Sequence, residues 1–296
     1  MAEKHFESGI AYARRADHHD PLGRFRMSFF IPEPNIIYLD GNSLGRLPHR
    51  TRERLQQTVD HQWGKRLIRS WNEGWYDMPR RLGARLAPII GAGEDEVIVG
   101  DSTSLNLFKA AWASVKLKQN RTRIITDDLN FPTDLYVLQG IARQLGADYE
   151  VALAHSSDGL TLSQEDLKKV LNDNTALVVL SHVAFKSAFM HDMKAVTDLV
   201  HSHGALMLWD LSHSAGVVPV QLSDADADLA IGCTYKYLNG GPGAPAWLFV
   251  KKELQNMLES PVWGWFGDDN PFAFNLEYKP AAGMSRFLVG TPPVIS

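Results

Sequence analysis

The chain has 296 residues, of which 45% are hydrophobic and 22% charged, a composition ordinary for a globular protein with a large core. Its net charge of −4 and pI near 6.3 argue against the basic face that binding to nucleic acid or an anionic membrane requires. The sequence begins without an apolar signal-peptide core and contains no run near the ~18 apolar residues of a membrane span. We therefore expect a cytoplasmic protein.

Helices and strands are expected in a regular order along the chain. Residues 18–20 favour a polar turn, residues 37–45 a short strand that breaks into a loop, and residues 51–62 and 77–90 helices. From residue 96 onward apolar runs alternate with helical stretches, the pattern of βαβ units around a mostly parallel sheet. The strands are expected at residues 96–100, 123–126, 151–154, 176–181, 206–210, 229–233 and 246–250. The helices between them are expected at residues 105–117, 134–145, 164–170, 192–202 and 252–258.

These seven strands predict an α/β fold in which helices cover both faces of one sheet. The large domain is expected over residues 51–290, and residues 1–50 are expected to associate with a smaller domain. The chain ends shortly after Pro292 and Pro293, where a helix would open. Residues 291–296 are therefore expected to be the start of a C-terminal domain that is cut short.

Two apolar runs end in chemically complementary residues, since Asp210 ends one and Lys236 follows the other ahead of a glycine-rich loop. Adjacent parallel strands would bring both groups to one edge of the sheet, where open α/β sheets bind ligands. An enzyme that uses pyridoxal phosphate (PLP) needs this pair, because a carboxylate keeps the pyridine nitrogen protonated and an amine bonds to the aldehyde. Taken singly, the aspartate is equally typical of a helix or turn cap, and the lysine is equally typical of a surface turn. Together they predict a PLP site with Asp210 and Lys236 as catalytic residues.

Two further signals fit the same site. Thr103 and Ser104 begin a helix after a strand, where free N–H groups and hydroxyls bind phosphate; an ordinary N-cap is the alternative. His213 follows Asp210 by three residues, which brings both side chains to the same side of a helical start. A histidine that caps a helix is the alternative there.

The remaining sequence signals do not predict a metal site, a nucleotide-binding loop or a disulfide. His201 and His203 are two residues apart and precede Gly204, which indicates a helix C-terminus and no metal site. The glycines of residues 240–243 lack the lysine arrangement of a nucleotide-binding loop. The single cysteine, Cys233, cannot form an internal disulfide and is expected to be a small core residue near the cofactor.

Seven short motifs follow one another in a specific order: residues 39–45, 101–109, 131–134, 210–213, 235–239, 264–267 and 290–293. In combination they resemble kynureninase, a family with the aspartate-aminotransferase-like fold of PLP enzymes. The resemblance implies hydrolysis of L-kynurenine, or its 3-hydroxy derivative, to L-alanine and anthranilate, or 3-hydroxyanthranilate, in tryptophan catabolism.

The resemblance also implies roles for residues near the ring and phosphate. Phe131 would lie against one face of the pyridine ring, with Asp134 nearby and His213 in the same layer. Tyr235 resembles a phosphate ligand that doubles as a catalytic proton carrier. Ser181 would line the same edge of the sheet as a cofactor-binding residue.

Three more residues are implied at the borders of the site. Ser43 resembles a substrate-binding residue. Trp265 and Thr291 resemble residues that reach the phosphate of a neighbouring subunit, which implies a homodimer with shared active sites. The alternative for Trp265 is a local aromatic core with Phe266.

The chain departs from the family pattern in two places. Residues 184–188 carry Ala184 where the family has a polar residue and Ala188 where it has glycine, which affects loop geometry and substrate contacts. The family continues into a C-terminal domain whose arginine resembles an anchor for the substrate carboxylate, and that arginine has no counterpart here.

The alternatives to a kynureninase are another PLP enzyme of the fold, a cysteine desulfurase or an aminotransferase, or a non-catalytic PLP-binding fragment. A desulfurase needs a mobile cysteine, for which Cys233 is poorly placed.

Overall fold

The computed structural model describes residues 8–296; residues 1–7, part of the segment predicted over residues 1–50, lie outside it. The α-helices are α1 Ile10–His19, α2 His49–Gln57, α3 Met78–Leu86, α4 Thr103–Leu117, α5 Pro132–Leu145, α6 Gln164–Lys168, α7 Met193–Ser202 and α8 Lys252–Gln255. The strands are β1 Val97–Val99, β2 Arg123–Asp127, β3 Glu150–Ala154, β4 Thr175–Ser181, β5 Leu206–Asp210, β6 Leu229–Gly232 and β7 Trp247–Val250. A π-helix, Thr58–Arg66, continues α2, and 3-10 turns lie at Gly23–Ser28, Leu67–Trp71, Ala87–Ile89, Trp265–Gly267, Pro271–Ala273 and Gly283–Phe287.

The seven strands form one sheet in the order β1-β7-β6-β5-β4-β2-β3. Strands β3, β2, β4, β5 and β6 pair in parallel, whereas β7 pairs antiparallel with both β6 and β1. The prediction of a mostly parallel seven-stranded sheet is confirmed. Because β1 and β6 run in the same direction on either side of β7, the carboxyl ends of β1, β2, β4, β5 and β6 all meet at one edge.

Each face of the sheet is covered, which gives the predicted three layers. Along β5, Met207 and Trp209 belong to the core on one face, and Leu206 and Leu208 belong to the core on the other. Helix α7 contributes to the first core, while α4 and α5 contribute to the second. All of β4 is buried, as expected for a strand covered on both faces. The described residues include no helix with the length and hydrophobicity that a bilayer crossing demands.

Two local predictions near the N-terminus are wrong. Residues 37–45 form no strand; Ile37 and Leu39 are 85% and 86% exposed, so no neighbouring strand completes the apolar alternation. The Tyr38 hydroxyl instead donates to the Leu44 carbonyl at 2.7 Å and folds the segment into a loop. The polar turn predicted at residues 18–20 is also wrong, because His18 and His19 end α1.

The helices beside the site start earlier than predicted. Helix α4 begins at Thr103 because the Ser102 side chain accepts the Leu105 N–H at 3.3 Å and caps it. Helix α5 begins at Pro132, whose fixed φ and missing N–H suit the first turn. Both helices therefore direct their N-termini toward the carboxyl edge of the sheet.

Candidate active site

A cavity of about 580 Å³ opens at the carboxyl edge of the sheet. It is bordered by the ends of β1 and β5, the segments that follow β2 and β6, the approach to β7, and residues 288–293. Most of the predicted site residues line it: Thr103, Ser104, Phe131, Asp134, Asp210, His213, Tyr235, Lys236 and Thr291. The sheet topology therefore brings together residues from five separate motifs.

Asp210 ends β5 and is 5% exposed at the base of this cavity. Ser212 donates to its Oδ1 twice, from the backbone N–H at 2.8 Å and from Oγ at 2.6 Å. Burial raises the pKa of Asp210, and the hydrogen bonds from Ser212 oppose that rise. The prediction did not include Ser212; its signal was the Asp-x-Ser spacing, which favours such a turn.

Asp134 lies in the first turn of α5, buried beside Asp210. Burial, and then the charge of Asp210, raise the pKa of Asp134 to about 9. Its Oδ2 atom is buried and has no hydrogen-bond partner among the described residues. Asp134 therefore keeps its proton at pH 7, and the pair can accept a further N–H donor.

Lys236 follows β6, and its Nζ lies 2.8 Å from Nε2 of His213. Burial, and then the positive charge of Lys236, lower the pKa of His213 to about 4. The imidazole is consequently neutral at pH 7, so Nε2 accepts a hydrogen bond from Nζ. The same Nζ lies 5.8 Å from the ring centroids of Phe131 and Tyr235, so aromatic rings flank the amine.

Tyr235 lines the cavity, and Cys233 is close enough to affect the pKa of Tyr235. Burial is the main cause that raises the pKa of Tyr235, with Cys233 the next contributor. Burial also raises the pKa of the Cys233 thiol, which is 4% exposed. As predicted, Cys233 is a small buried residue close to the site, and it is poorly accessible as a nucleophile.

Lys109 does not line the cavity but contacts Asp101, which does, and sequence reasoning did not single it out. It is 1% exposed on α4, and its Nζ donates to Oδ2 of Asp101 and to the Phe287 carbonyl, both at 2.6 Å. Asp101 has φ of 54°, and its ion pair with Lys109 holds it at the cavity wall. The contact with Phe287 joins partners 178 residues apart in the chain, so no local pattern could reveal it.

Three predicted site residues do not line the cavity. Ser181 ends β4 opposite Asp210, and its hydroxyl donates to Oδ1 of Asn130 at 2.7 Å. Trp265 packs edge-to-face on Phe266 with centroids 4.8 Å apart. Ser43 is exposed in a turn, although neighbouring residues of that turn line a second cavity. The roles of these three residues stay predictions.

His201, in α7, and His203, just after it, do not line the cavity. His201 lies in the last turn of that helix, and its Nε2 is 2.7 Å from Oδ2 of Asp228. Gly204 follows with φ of 70°, which confirms the predicted helix C-terminus. The Asp228 side chain satisfies this histidine and raises its pKa.

Solved structures with the same fold include PLP enzymes. A cysteine desulfurase from Thermococcus onnurineus NA1 superposes with a TM-score of 0.73 at 21% identity, covering 98% of this chain and 69% of its own. A C-DES variant with glycine covalently linked to its PLP cofactor gives a TM-score of 0.76 at 18% identity, covering 88% and 68%. At these identities the likeness shows the fold alone, and it confirms the predicted fold class.

Sequence comparison gives closer relatives. Residues 37–296 match the model of the aminotransferase class-V family. Kynureninase of Burkholderia mallei (strain SAVP1) is 48% identical over 285 residues, which are 95% of this chain and 67% of that protein. Kynureninase of Pseudomonas fluorescens is 47% identical over the same shares. The chain therefore belongs to the aminotransferase class-V family and, within it, to the kynureninases.

Proposed function

We propose that this chain hydrolyses L-kynurenine, or 3-hydroxykynurenine, to L-alanine and anthranilate, or 3-hydroxyanthranilate, with PLP bound in the 580 Å³ cavity. The observation that carries the proposal is the convergence of Lys236, Asp210 and the N-terminus of α4 on that one cavity. Membership of the kynureninases supplies the substrate, because the relatives carry that activity in their name.

The residues that line the cavity fit PLP. Asp210 and the unpaired Oδ2 of Asp134 suit a ring N–H, and the exposed face of Phe131 suits the ring itself. Thr103 and Ser104 supply hydroxyls and backbone N–H groups for a phosphate at the start of α4. When bound, PLP supplies an electron-accepting ring and an aldehyde carbon.

Lys236 is the residue that moves protons at the substrate Cα. Neutral His213 accepts a hydrogen bond from its Nζ, so the imidazole orients the amine without adding a second positive charge. Asp210 would hold a proton on the ring nitrogen of bound PLP, and protonated Asp134 beside it would add no second negative charge.

Tyr235 is the candidate proton donor to the substrate β-carbon. Its raised pKa keeps the phenol protonated at neutral pH, as a general acid requires. Hydrolysis adds the water oxygen to the γ-carbonyl carbon and breaks the Cβ–Cγ bond, and the β-carbon takes up a proton. The Tyr235 ring centroid lies 5.8 Å from Nζ of Lys236, and this closeness supports the proposed role.

A homodimer with shared sites is part of the proposal. Trp265 is 37% exposed and does not line the cavity of its own chain, so its ring is accessible to a second copy. Thr291 is exposed and lines the cavity of its own chain. Thr291 is therefore available to a phosphate bound in its own chain as well as to the predicted phosphate of a neighbouring subunit. Sedimentation of the PLP-loaded chain tests the dimer, and a monomer at micromolar concentration contradicts it.

The direct test of the activity is addition of L-kynurenine to the purified, PLP-loaded chain. We expect the blue fluorescence of anthranilate to rise linearly with time and L-alanine to form in equal amount. A Lys236→Ala chain serves as the control and gives no signal. Release of alanine or sulfide from L-cysteine, with no anthranilate from kynurenine, would favour a desulfurase instead.

A further inference from the structure

Asn130 is a buried residue to which the proposed reaction gives no role. It lies in the segment between β2 and α5, is 4% exposed, and does not line the cofactor cavity. The next residue, Phe131, lines that cavity and is 43% exposed. Because a buried amide is costly unless its atoms are hydrogen-bonded, the partners of Asn130 show what its side chain does.

Both polar atoms of the Asn130 side chain have partners. Oδ1 accepts the Phe131 N–H at 2.8 Å and the Ser181 hydroxyl at 2.7 Å. Nδ2 donates to Oγ1 of Thr126 at 3.1 Å. Thr126 lies in β2 and Ser181 ends β4, and these two strands are parallel neighbours. The buried amide therefore ties the backbone of Phe131 to the ends of two strands.

Phe131 is held from both sides of its backbone. Asn130 binds its N–H, and Pro132 restricts it to the extended conformation that it adopts, with φ of −66° and ψ of 133°. Its ring packs edge-to-face on Phe185, with centroids 5.3 Å apart, and the ring centroid lies 5.8 Å from Nζ of Lys236. A ring oriented by contacts within the chain loses little freedom when a ligand packs on it, which favours binding.

We propose that Asn130 is a positioning residue of the cofactor site, whose amide holds Phe131 where its ring packs on the pyridine ring of PLP. The inference rests on the PLP site of the proposed function and deepens it, since it names the group that orients the ring-facing residue. Asn130 acts through Phe131, so its contribution to PLP binding exists only while the Phe131 ring is present.

Dissociation constants for PLP in a double-mutant cycle test the proposal. We expect Asn130→Ala to weaken PLP binding by about threefold to tenfold, the size expected for a misplaced aromatic contact. Phe131→Ala should weaken it at least as much. Adding Asn130→Ala to the Phe131→Ala chain should change the constant by less than about twofold, because the ring that Asn130 positions is already gone. A general loss of structure would weaken PLP binding in both backgrounds.

Thr126→Val takes the place of the asparagine variant if Asn130→Ala does not fold. It removes only the acceptor of Nδ2 and leaves both bonds to Oδ1. We expect a smaller loss of PLP affinity, again confined to chains in which Phe131 is intact.

Asn174→Ala is the matched control. The Asn174 side chain also joins β2 to β4, since its Oδ1 accepts the Thr122 N–H at 3.0 Å and its Nδ2 donates to Oγ1 of Thr122 at 3.1 Å. These contacts precede the first residues of both strands, at the opposite edge of the sheet from the cavity. The control should bind PLP as the parent does.

Two results would overturn the proposal. One is parental PLP affinity in a folded Asn130→Ala chain, in its Thr126→Val replacement, or in Phe131→Ala. The other is a loss that persists in full in the Phe131→Ala background. A parent that binds PLP but does not hydrolyse kynurenine would contradict the proposed function and leave this inference intact.

Discussion

The chemistry of the site depends on two adjacent buried carboxyl groups that differ in their surroundings. Asp210 accepts two hydrogen bonds from Ser212, whereas Oδ2 of Asp134 has no partner among the described residues. Hydrogen bonds favour the charged form and burial favours the neutral form, so the pair divides into a charged and a protonated member. The importance of Asp210 could be predicted from its place at the end of an apolar run. The pairing with Asp134 depends on how α5 packs and could not.

Replacing Asp210 by asparagine tests the charged member. We expect Asp210→Asn to fold and to retain PLP but to lose nearly all kynurenine turnover, because a neutral amide does not keep the ring nitrogen protonated. The loss corresponds to about 4–7 kcal/mol of transition-state stabilisation. Initial rates of anthranilate release measure it, with the exposed Asp224→Asn as control. Turnover within tenfold of the parent would reduce Asp210 to a capping role.

The protonated member makes the stability of the PLP-free chain depend on pH. The pKa of Asp134 is raised to about 9 in the folded chain and is about 4 when unfolded, so the unfolded state loses its proton first. The free energy of unfolding should therefore fall as pH rises from 7 to 9. Asp134→Asn removes this contribution, so its unfolding energy relative to the parent should increase with pH. Urea titrations at several pH values measure the difference, and a constant difference contradicts the assigned proton.

At the scale of elements, two loop segments contribute to the site. One is held by a contact between residues that are distant in the sequence, and the other contains a residue with a strained backbone conformation. Lys109 joins α4 to the Gly283–Phe287 turn, which leads into residues 288–293 at the cavity. Residues 184–188 close a loop after β4 in which Phe185 packs edge-to-face on Phe131, with centroids 5.3 Å apart. The departures predicted to affect this loop therefore act next to the proposed ring-binding residue.

Lys109→Met removes the buried cation and leaves Asp101 without its partner. We expect a loss of about 1–3 kcal/mol in the free energy of unfolding, because the Asp101 carboxylate, 21% exposed at the cavity wall, and the buried Phe287 carbonyl both lose their hydrogen-bond donor. PLP affinity should fall as well, since residues 288–293 lose their link to α4. Urea unfolding and PLP absorbance report the two effects. Lys116→Met on the exposed face of the same helix is the control, and equal stability of both variants would contradict the account.

Ala188 adopts a backbone conformation that favours glycine, with φ of 60°. We expect Ala188→Gly to raise the free energy of unfolding by about 1 kcal/mol, because the left-handed region penalises a Cβ. Ala184→Gly in the same loop, where φ is ordinary, should instead lower it. Thermal unfolding of both variants distinguishes the two effects. Destabilisation by Ala188→Gly would show that the strain assigned to this position is absent.

At the scale of the whole molecule, the sheet could be predicted from local sequence patterns, and the loops could not. Each of the seven strands is an apolar run with clear ends, so all seven were predicted, and the pairing of β5 with β6 confirms that Asp210 and the segment before Lys236 are neighbours. Residues 37–45 have the same apolar alternation but lack a neighbouring strand, which only the tertiary structure reveals. Ser43 and Trp265 lie at the borders of the site, where packing rather than periodicity decides what each side chain faces.

The most direct test of this assignment is to find which lysine carries the cofactor. The PLP-loaded chain is reduced with borohydride, digested, and its peptides are mapped by mass spectrometry. We expect the pyridoxyl label on Lys236 alone, because its amine lies beside His213 in the cavity that Asp210 and Asp134 also line. Lys236→Ala should remove the label without unfolding the chain. A label on another lysine, or none in a folded parent loaded with PLP, would contradict the site and the function derived from it.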